Sequence, residues 1–111
     1  MNKVSFEDFS KFRILIGTIL EAELNPKAKK TAYMLRIDFG IHGIKTSSAQ
    51  ITKNYSQESL IGMQISAVVN FPVKRIAGFK SEVLVLGVMS DQKDIVLLTP
   101  TEIVEEGSLV C

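Results

Sequence analysis

Apolar side chains recur at every second position from Tyr33 to Phe39, and this alternation limits the fold of the chain more than any other feature. A period of two is typical of a β-strand that has one face in a hydrophobic core. The glycine-containing segment 40–43 can form a turn, and residues 44–51 are suited to a partner strand. The sequence therefore predicts a hairpin, and with it an antiparallel sheet.

Further strands are predicted on both sides of this hairpin, at residues 12–24, 64–71, 81–89 and 94–98. The first is dense in β-branched residues, and one of its faces carries Ile14, Ile16, Thr18, Leu20 and Ala22. The run 83–89 is apolar on both faces, so its second face should be covered. Short helices are predicted after Ser5, which can cap a first turn, and at residues 56–60.

Five or six strands with one helical insert are typical of a small, partly open barrel of the oligonucleotide-binding (OB) kind. The predicted fold class is therefore all-β, a five-stranded OB-fold β-barrel with short helices. A chain of 111 residues with 46% apolar residues has material for one hydrophobic core, so residues 1–111 are expected to form a single domain.

Composition excludes several classes of protein. Cys111 is the only cysteine, so the chain can form neither an internal disulfide nor a cysteine zinc site. His42 is the only histidine, it falls in a predicted turn, and no nucleophile–base pair or phosphate-binding glycine loop is present. We expect no enzymatic activity, no metal and no cofactor. Without a secretory leader or an apolar run long enough to span a bilayer, the expected location is cytoplasmic, without membrane insertion.

Charge is segregated along the chain, although the formal net charge is only +1. Residues 27–53 contain one acid, Asp38, and six basic residues: Lys27, Lys29, Lys30, Arg36, Lys45 and Lys53. A local positive surface attracts phosphates and releases counterions, which predicts nucleic-acid binding that weakens with salt. The alternative is that lysines at strand ends only keep sheet edges solvated.

The segment NFPVKRIAGFKSEVLVLG at residues 70–87, with SSAQIT at 47–52 and SFEDF at 5–9, resembles the tRNA-binding domain family. Within that family it is similar to the export-related chaperones of the CsaA type. Synthetase-appended relatives usually read Ser-Glu-Gly-Met where this chain has Ser81-Glu82-Val83-Leu84, which favours the chaperone branch. The resemblance implies a symmetric homodimer, joined through the N-terminal helix and C-terminal strands, that binds tRNA by shape and possesses a chaperone role for presecretory proteins.

In the family, the residues that match Asn70, Arg75, Ser81 and Glu82 form a polar patch beside the barrel groove. Arginine can hold a phosphate with two donors, and Asn or Ser can reach a 2′-hydroxyl. Glu82 is expected to orient Arg75. The alternative is that Asn70 and Ser81 satisfy backbone groups and that Glu82 forms an ordinary ion pair with Arg75. The predicted RNA-binding residues are Lys29, Lys30, Lys45, Lys53, Asn70, Lys74, Arg75, Lys80, Ser81 and Glu82.

The chain also has more apolar residues than one small barrel would hide, which favours dimerisation. Tyr33, Phe39 and Phe71 are expected in the core, and Phe79 is the best candidate for an exposed ring. The predicted peptide-binding residues are Met34, Phe71 and Phe79; core packing is the alternative role for Met34. The expected partners are tRNA, unfolded or presecretory polypeptides, and a second copy of the chain. The alternative function is a general peptide-binding chaperone with no physiological tRNA ligand.

Overall fold

The computed structural model describes residues 1–92 and 94–111. The helices are α1 (Phe6–Ser10) and α2 (Gln57–Leu60), and a short 3-10 turn spans Gly40–His42. The strands are β1 (Ile14–Leu24), β2 (Tyr33–Asp38), β3 (Ile44–Ala49), β4 (Gln64–Val68), β5 (Lys74–Ile76), β6 (Phe79–Ser81), β7 (Leu84–Val85), β8 (Gly87–Met89) and β9 (Ile95–Leu97). None of the helices among these residues is long and apolar enough to cross a bilayer.

Five strands form one antiparallel sheet in the order β3-β2-β1-β4-β7, and β5-β6 and β8-β9 form separate hairpins. The sheet curls so that its two edge strands, β3 and β7, approach each other. The backbone N–H groups of Glu82 and Val83, just before β7, both donate to the Thr46 carbonyl of β3, at 2.8 and 3.2 Å. This nearly closed barrel confirms the predicted all-β OB-type fold. Ser5 and Ser56 accept hydrogen bonds from the first turns of α1 and α2, as N-cap residues do.

The interior of the barrel contains a continuous apolar cluster. Leu35, Ile37 and Phe39, on and after β2, are fully buried, as the alternation predicts. Gly17 on β1 lies beneath them, and a Cβ there would approach Ile37 Cγ2 to 2.6 Å. β1 therefore needs glycine at position 17, where it packs against β2.

The face of β1 that carries Leu15 and Ile19 packs into the core of the barrel. Leu15 and Ile19 are 1% and 0% exposed, whereas Leu20 is 37% exposed. The pairing of β1 with β2 shifts register between Ile19 and Glu21. Such a bulge inserts one residue and moves later side chains to the other face, so Ala22 is buried again.

The strand with both faces covered is β4, not the run 83–89. Every residue of β4 is buried, and the Gln64 amide exchanges hydrogen bonds of 2.7 and 3.0 Å with the backbone of Val104. The C-terminal segment therefore covers the outer face of β4. Within the single chain, Leu84, Val88 and Met89 remain 50–62% exposed, so the predicted cover on their second face is absent from this chain alone.

Candidate nucleic-acid interface

Two loops at one end of the barrel contain most of the candidate cations. The β1–β2 loop contains Lys27, Lys29 and Lys30, and the connection from β4 to β7 contains Lys74, Arg75 and Lys80, and all six residues are exposed. In OB barrels the loop between strands 1 and 2 and the loop between strands 4 and 5 bind oligonucleotides. Here those are the β1–β2 loop and the β4–β7 connection, because β7 is the fifth strand of the sheet.

The two loops are in contact with each other. Asn25 Nδ2 donates to the Ala77 carbonyl at 3.3 Å, and the Lys27 side chain lies against Gly78. Ala77 and Gly78 have φ of 49° and 80°, so they form the tight turn between β5 and β6. This hairpin was not predicted from the sequence. Because Ala is rarely found with positive φ, no sequence signal marks this turn.

Two cations face each other on this hairpin. The register pairs Arg75 directly with Lys80 and Lys74 with Ser81. Like charges opposite each other on two strands repel. An anion bound between Arg75 and Lys80 would remove that repulsion, so the hairpin is suited to a phosphate.

Two lysines of the β1–β2 loop also line a cavity of about 500 Å³ beside that loop. Lys29, Lys30 and Lys53 line it together with Asp94, whose carboxylate lies 3.6 Å from Lys53 Nζ. The structure thus brings three of the predicted lysines to one place. Lys45 lies elsewhere, half-buried on β3 opposite Ile37.

Two residues of the predicted polar patch, Asn70 and Ser81, hydrogen-bond to the backbone of the fold. Asn70 Oδ1 accepts from the Arg13 N–H, and Asn70 Nδ2 donates to the Lys11 carbonyl, both at 2.8 Å. Ser81 Oγ accepts from the N–H of Ser48 at 3.0 Å. These contacts match the alternative that the sequence left open, in which Asn70 and Ser81 satisfy backbone groups. Their direct contact with RNA stays a prediction.

Glu82 is held by residues other than the expected one. Its carboxylate accepts from the Thr46 N–H at 3.1 Å, and Lys80 Nζ lies 4.0 Å from it. The structure records no ion pair between Glu82 and Arg75, both of which it describes. The expectation that Glu82 orients Arg75 is therefore not met by these contacts, and Arg75 extends into solvent.

The predicted peptide-binding side chains occupy two separate grooves. Met34 and Phe79, both half-buried, line a groove of about 250 Å³ with the β5–β6 turn. Phe71 lines another, of about 210 Å³, and its ring packs edge-on against Phe12 with centroids 6.0 Å apart. Phe71 is 42% exposed, so its expected place in the core was wrong, whereas Tyr33 is buried as predicted.

Two of the exposed apolar surfaces involve the ends of the chain. Around α1, Val4, Phe6 and Phe12 are 73%, 80% and 44% exposed. A further apolar groove of about 540 Å³ lies between β1 and the C-terminal segment; its lining includes Ile16, Leu86, Leu98, Val104 and Leu109. In the part of the chain that the structure describes, no three His, Cys, Asp or Glu side chains are grouped as a metal site requires.

Comparison with known proteins decides the family. Residues 14–109 match the family model described as "Putative tRNA binding domain". The chain belongs to the tRNA-binding domain family. Among solved structures, this tRNA-binding domain is similar to the chaperone CsaA from Bacillus anthracis, at 52% identity and a TM-score of 0.94, with 99% of this chain and 100% of that chain covered. It is also similar to the CsaA chaperone protein from Picrophilus torridus, at 48% identity and a TM-score of 0.92, covering 98% and 100% of the two chains. These neighbours confirm the resemblance to the CsaA type.

The domain also occurs within much longer proteins. It is 36% identical over 107 residues to the methionine–tRNA ligase of Porphyromonas gingivalis. That match covers 96% of this chain but only 15% of the ligase. The tRNA-binding domain therefore spans a small part of the curated relatives that it matches.

Proposed function

We propose that this tRNA-binding domain binds tRNA without chemistry of its own, through one cationic surface. That surface consists of Lys27, Lys29, Lys30, Lys53, Lys74, Arg75 and Lys80. The proposal rests on one observation: the β1–β2 loop and the β5–β6 hairpin, which supply six of these cations, touch through Asn25 and Ala77. Cations contributed by both loops can contact several phosphates of one folded RNA at once.

The distribution of aromatic rings favours a structured RNA over a single strand. Single-strand binding usually relies on exposed rings on which bases stack. Here the most exposed ring, Phe6 at 80%, belongs to α1, and Phe79 near the cationic surface is half-buried. Double-stranded RNA is recognised mostly by shape and by contacts to phosphate and 2′-hydroxyl groups. Folded tRNA suits such a surface.

The remaining predicted RNA residues are given supporting roles in this proposal. Ser81 and Glu82 fix the base of the β5–β6 hairpin to β3 through Ser48 and Thr46. They position Arg75 and Lys80 by holding the hairpin, and Asn70 fixes the chain entering it. Lys45 contributes only long-range attraction, because it lies outside the contact formed by the two loops.

The test compares two arginine variants for binding of purified tRNA by filter retention. Arg75→Ala removes a cation of the proposed surface, and we expect affinity to fall roughly fivefold or more. Arg36→Ala is the matched control, because Arg36 is an exposed strand arginine already paired with Glu21 at 2.7 Å. The double change Lys29→Glu/Lys30→Glu should weaken binding further. Unchanged retention of tRNA by both Arg75→Ala and the double variant would contradict the proposal.

The protein is further proposed to act as a homodimer. The apolar side chains around α1 and the groove beside the C-terminal segment would then be covered by a second copy, in keeping with an excess of exposed apolar surface. Sedimentation equilibrium should give a mass near twice 12.3 kDa. Phe6→Asp should shift it toward the monomer, whereas Ile61→Asp, at a 54% exposed site after α2, should not. A monomeric parent chain would contradict this.

A second candidate function is a cytoplasmic chaperone for unfolded or presecretory polypeptides, with or without a tRNA ligand. It is favoured by the structural neighbours, which are described as chaperones, and by the apolar grooves at Met34 and Phe79 and at Phe71. Apolar binding is nearly indifferent to salt or strengthens slightly. Binding of a reduced, unfolded protein that falls steeply with added salt would contradict an apolar groove.

A further inference from the structure

The cavity beside the β1–β2 loop has the size of a ligand site. Its walls are residues 29–31, residues 50–54 and residues 94–95, where β9 begins. Its volume of about 500 Å³ falls in the range of roughly 300–1,000 Å³ that small-molecule sites occupy. It is therefore large enough for one nucleotide.

The lining combines two kinds of chemistry. Lys29, Lys30 and Lys53 supply positive charge, whereas Asp94 supplies a carboxylate. A bare phosphate would be attracted by the lysines and repelled by Asp94. A ligand that bears both a phosphate and N–H donors would satisfy both kinds of group, since a carboxylate only accepts hydrogen bonds.

The wall that contains Asn54 is already fixed in place. Asn54 Nδ2 donates to the Ile95 carbonyl at 2.8 Å, so its amide oxygen is the group left to accept from a ligand. Nearby, Tyr55 Oη accepts from the Leu97 N–H at 3.0 Å, and Tyr33 Oη donates to the Tyr55 carbonyl at 2.7 Å. A wall that is held before binding loses less entropy when a ligand arrives.

We propose that this cavity binds one nucleotide of the RNA, and that it prefers a base with an exocyclic amino group. The phosphate lies against Lys29 and Lys30, and the amino group donates to the Asp94 carboxylate. This deepens the proposed function and rests on it only in taking the nucleotide to be part of RNA. Cytosine and uracil form the sharpest comparison, because uracil presents a carbonyl oxygen where cytosine presents the amino group.

The test titrates CMP, UMP and inorganic phosphate separately into the ¹⁵N-labelled full chain. Binding is followed by NMR at the Thr52 backbone N–H and the Asn54 side-chain amide. We expect CMP to bind roughly tenfold more tightly than UMP, the effect of one hydrogen bond to a charged group. Inorganic phosphate should bind more weakly than CMP. Equal affinities for CMP and UMP in the parent chain would overturn the proposal.

Two variants separate the roles of the carboxylate and the lysines. Asp94→Asn should bring the CMP-to-UMP ratio close to one, because an amide can donate to uracil as well as accept from cytosine. Lys30→Gln should weaken CMP and UMP alike and keep their ratio. A ratio unchanged in Asp94→Asn would overturn the assignment of Asp94. If Asp94→Asn does not fold, the CMP and UMP titrations of the parent chain still decide.

The same samples are assayed for tRNA binding, so that two failures can be told apart. If tRNA is retained but CMP and UMP bind equally, the nucleotide site is overturned and the cationic surface is supported. If CMP is preferred but tRNA is not retained, the site is supported as a nucleotide site and the RNA function is contradicted.

Discussion

The backbone N–H of Glu82 donates to the Thr46 carbonyl at 2.8 Å, and the Thr46 N–H donates back to the Glu82 carboxylate at 3.1 Å. The second of these bonds replaces a main-chain ladder contact with a side chain. It joins β3 to the start of β7 and so closes the barrel. The same stretch of chain leads out of the β5–β6 hairpin, so this contact contributes both to closing the barrel and to placing Arg75.

Removing this carboxylate should therefore destabilise the fold. Glu82→Ala leaves the Thr46 N–H without its partner, and we expect the free energy of unfolding to fall by about 1–3 kcal/mol. Lys80 Nζ lies 4.0 Å from this carboxylate and the Lys80 side chain is 54% exposed, so the ion pair adds little. Urea denaturation measures the loss. Glu23→Ala, an exposed glutamate of β1, should stay within about 0.5 kcal/mol of the parent chain.

A second prediction concerns the attachment of α1. Asn70→Ala removes both hydrogen bonds that hold the backbone of Lys11 and Arg13. We expect amide exchange at Arg13 to accelerate about fivefold, the effect of roughly 1 kcal/mol, while exchange at Ile37 in the core is unchanged. Amide exchange followed by NMR measures both sites. Unchanged exchange at Arg13 would show that Asn70 does not fix this segment.

β2 pairs with β1 only from Thr18 onward. Before that point, the C-terminal segment pairs with β1 in its place. The Val110 N–H donates to the Ile14 carbonyl at 2.8 Å, and Leu109 forms the bridge with Leu15. Val110→Pro removes that donor and should lower the free energy of unfolding by about 1–2 kcal/mol.

Leu109→Pro is the matched control for this change, because the hydrogen bonds that pair this segment with β1 use the N–H of Val110 and not that of Leu109. Both changes are compared by thermal unfolding. Equal losses of stability would mean that the sheet contact of Val110 is not the cause.

Much of the barrel could be predicted from sequence because its signals are local. The alternation before Phe39 and the N-cap at Ser5 each depend on neighbouring residues alone. The bulge after Ile19 reverses the face of β1, and no local pattern announces it. The cover on β4 comes from a segment more than 30 residues away, through Leu98 and Val104, so it needs the tertiary fold.

The candidate site shows the same division. Charge counting alone found Lys29, Lys30 and Lys53, which the structure brings to one cavity. Residue type could not reveal that Asn70 and Ser81 hydrogen-bond to the backbone, because Asn and Ser suit RNA contacts and backbone contacts equally. Asp94 was not predicted as a site residue, since its place beside Lys53 depends on the β8–β9 hairpin.

Salt dependence of tRNA binding tests the central claim, that the two loops form one phosphate-binding surface. The affinity of the parent chain and of Arg75→Ala for purified tRNA is measured from low to physiological salt. The logarithm of the affinity should fall linearly with the logarithm of salt concentration, and the slope of Arg75→Ala should be smaller by about one, because one phosphate contact is lost. An affinity of the parent chain that does not change with salt, or an identical slope in Arg75→Ala, would contradict the account.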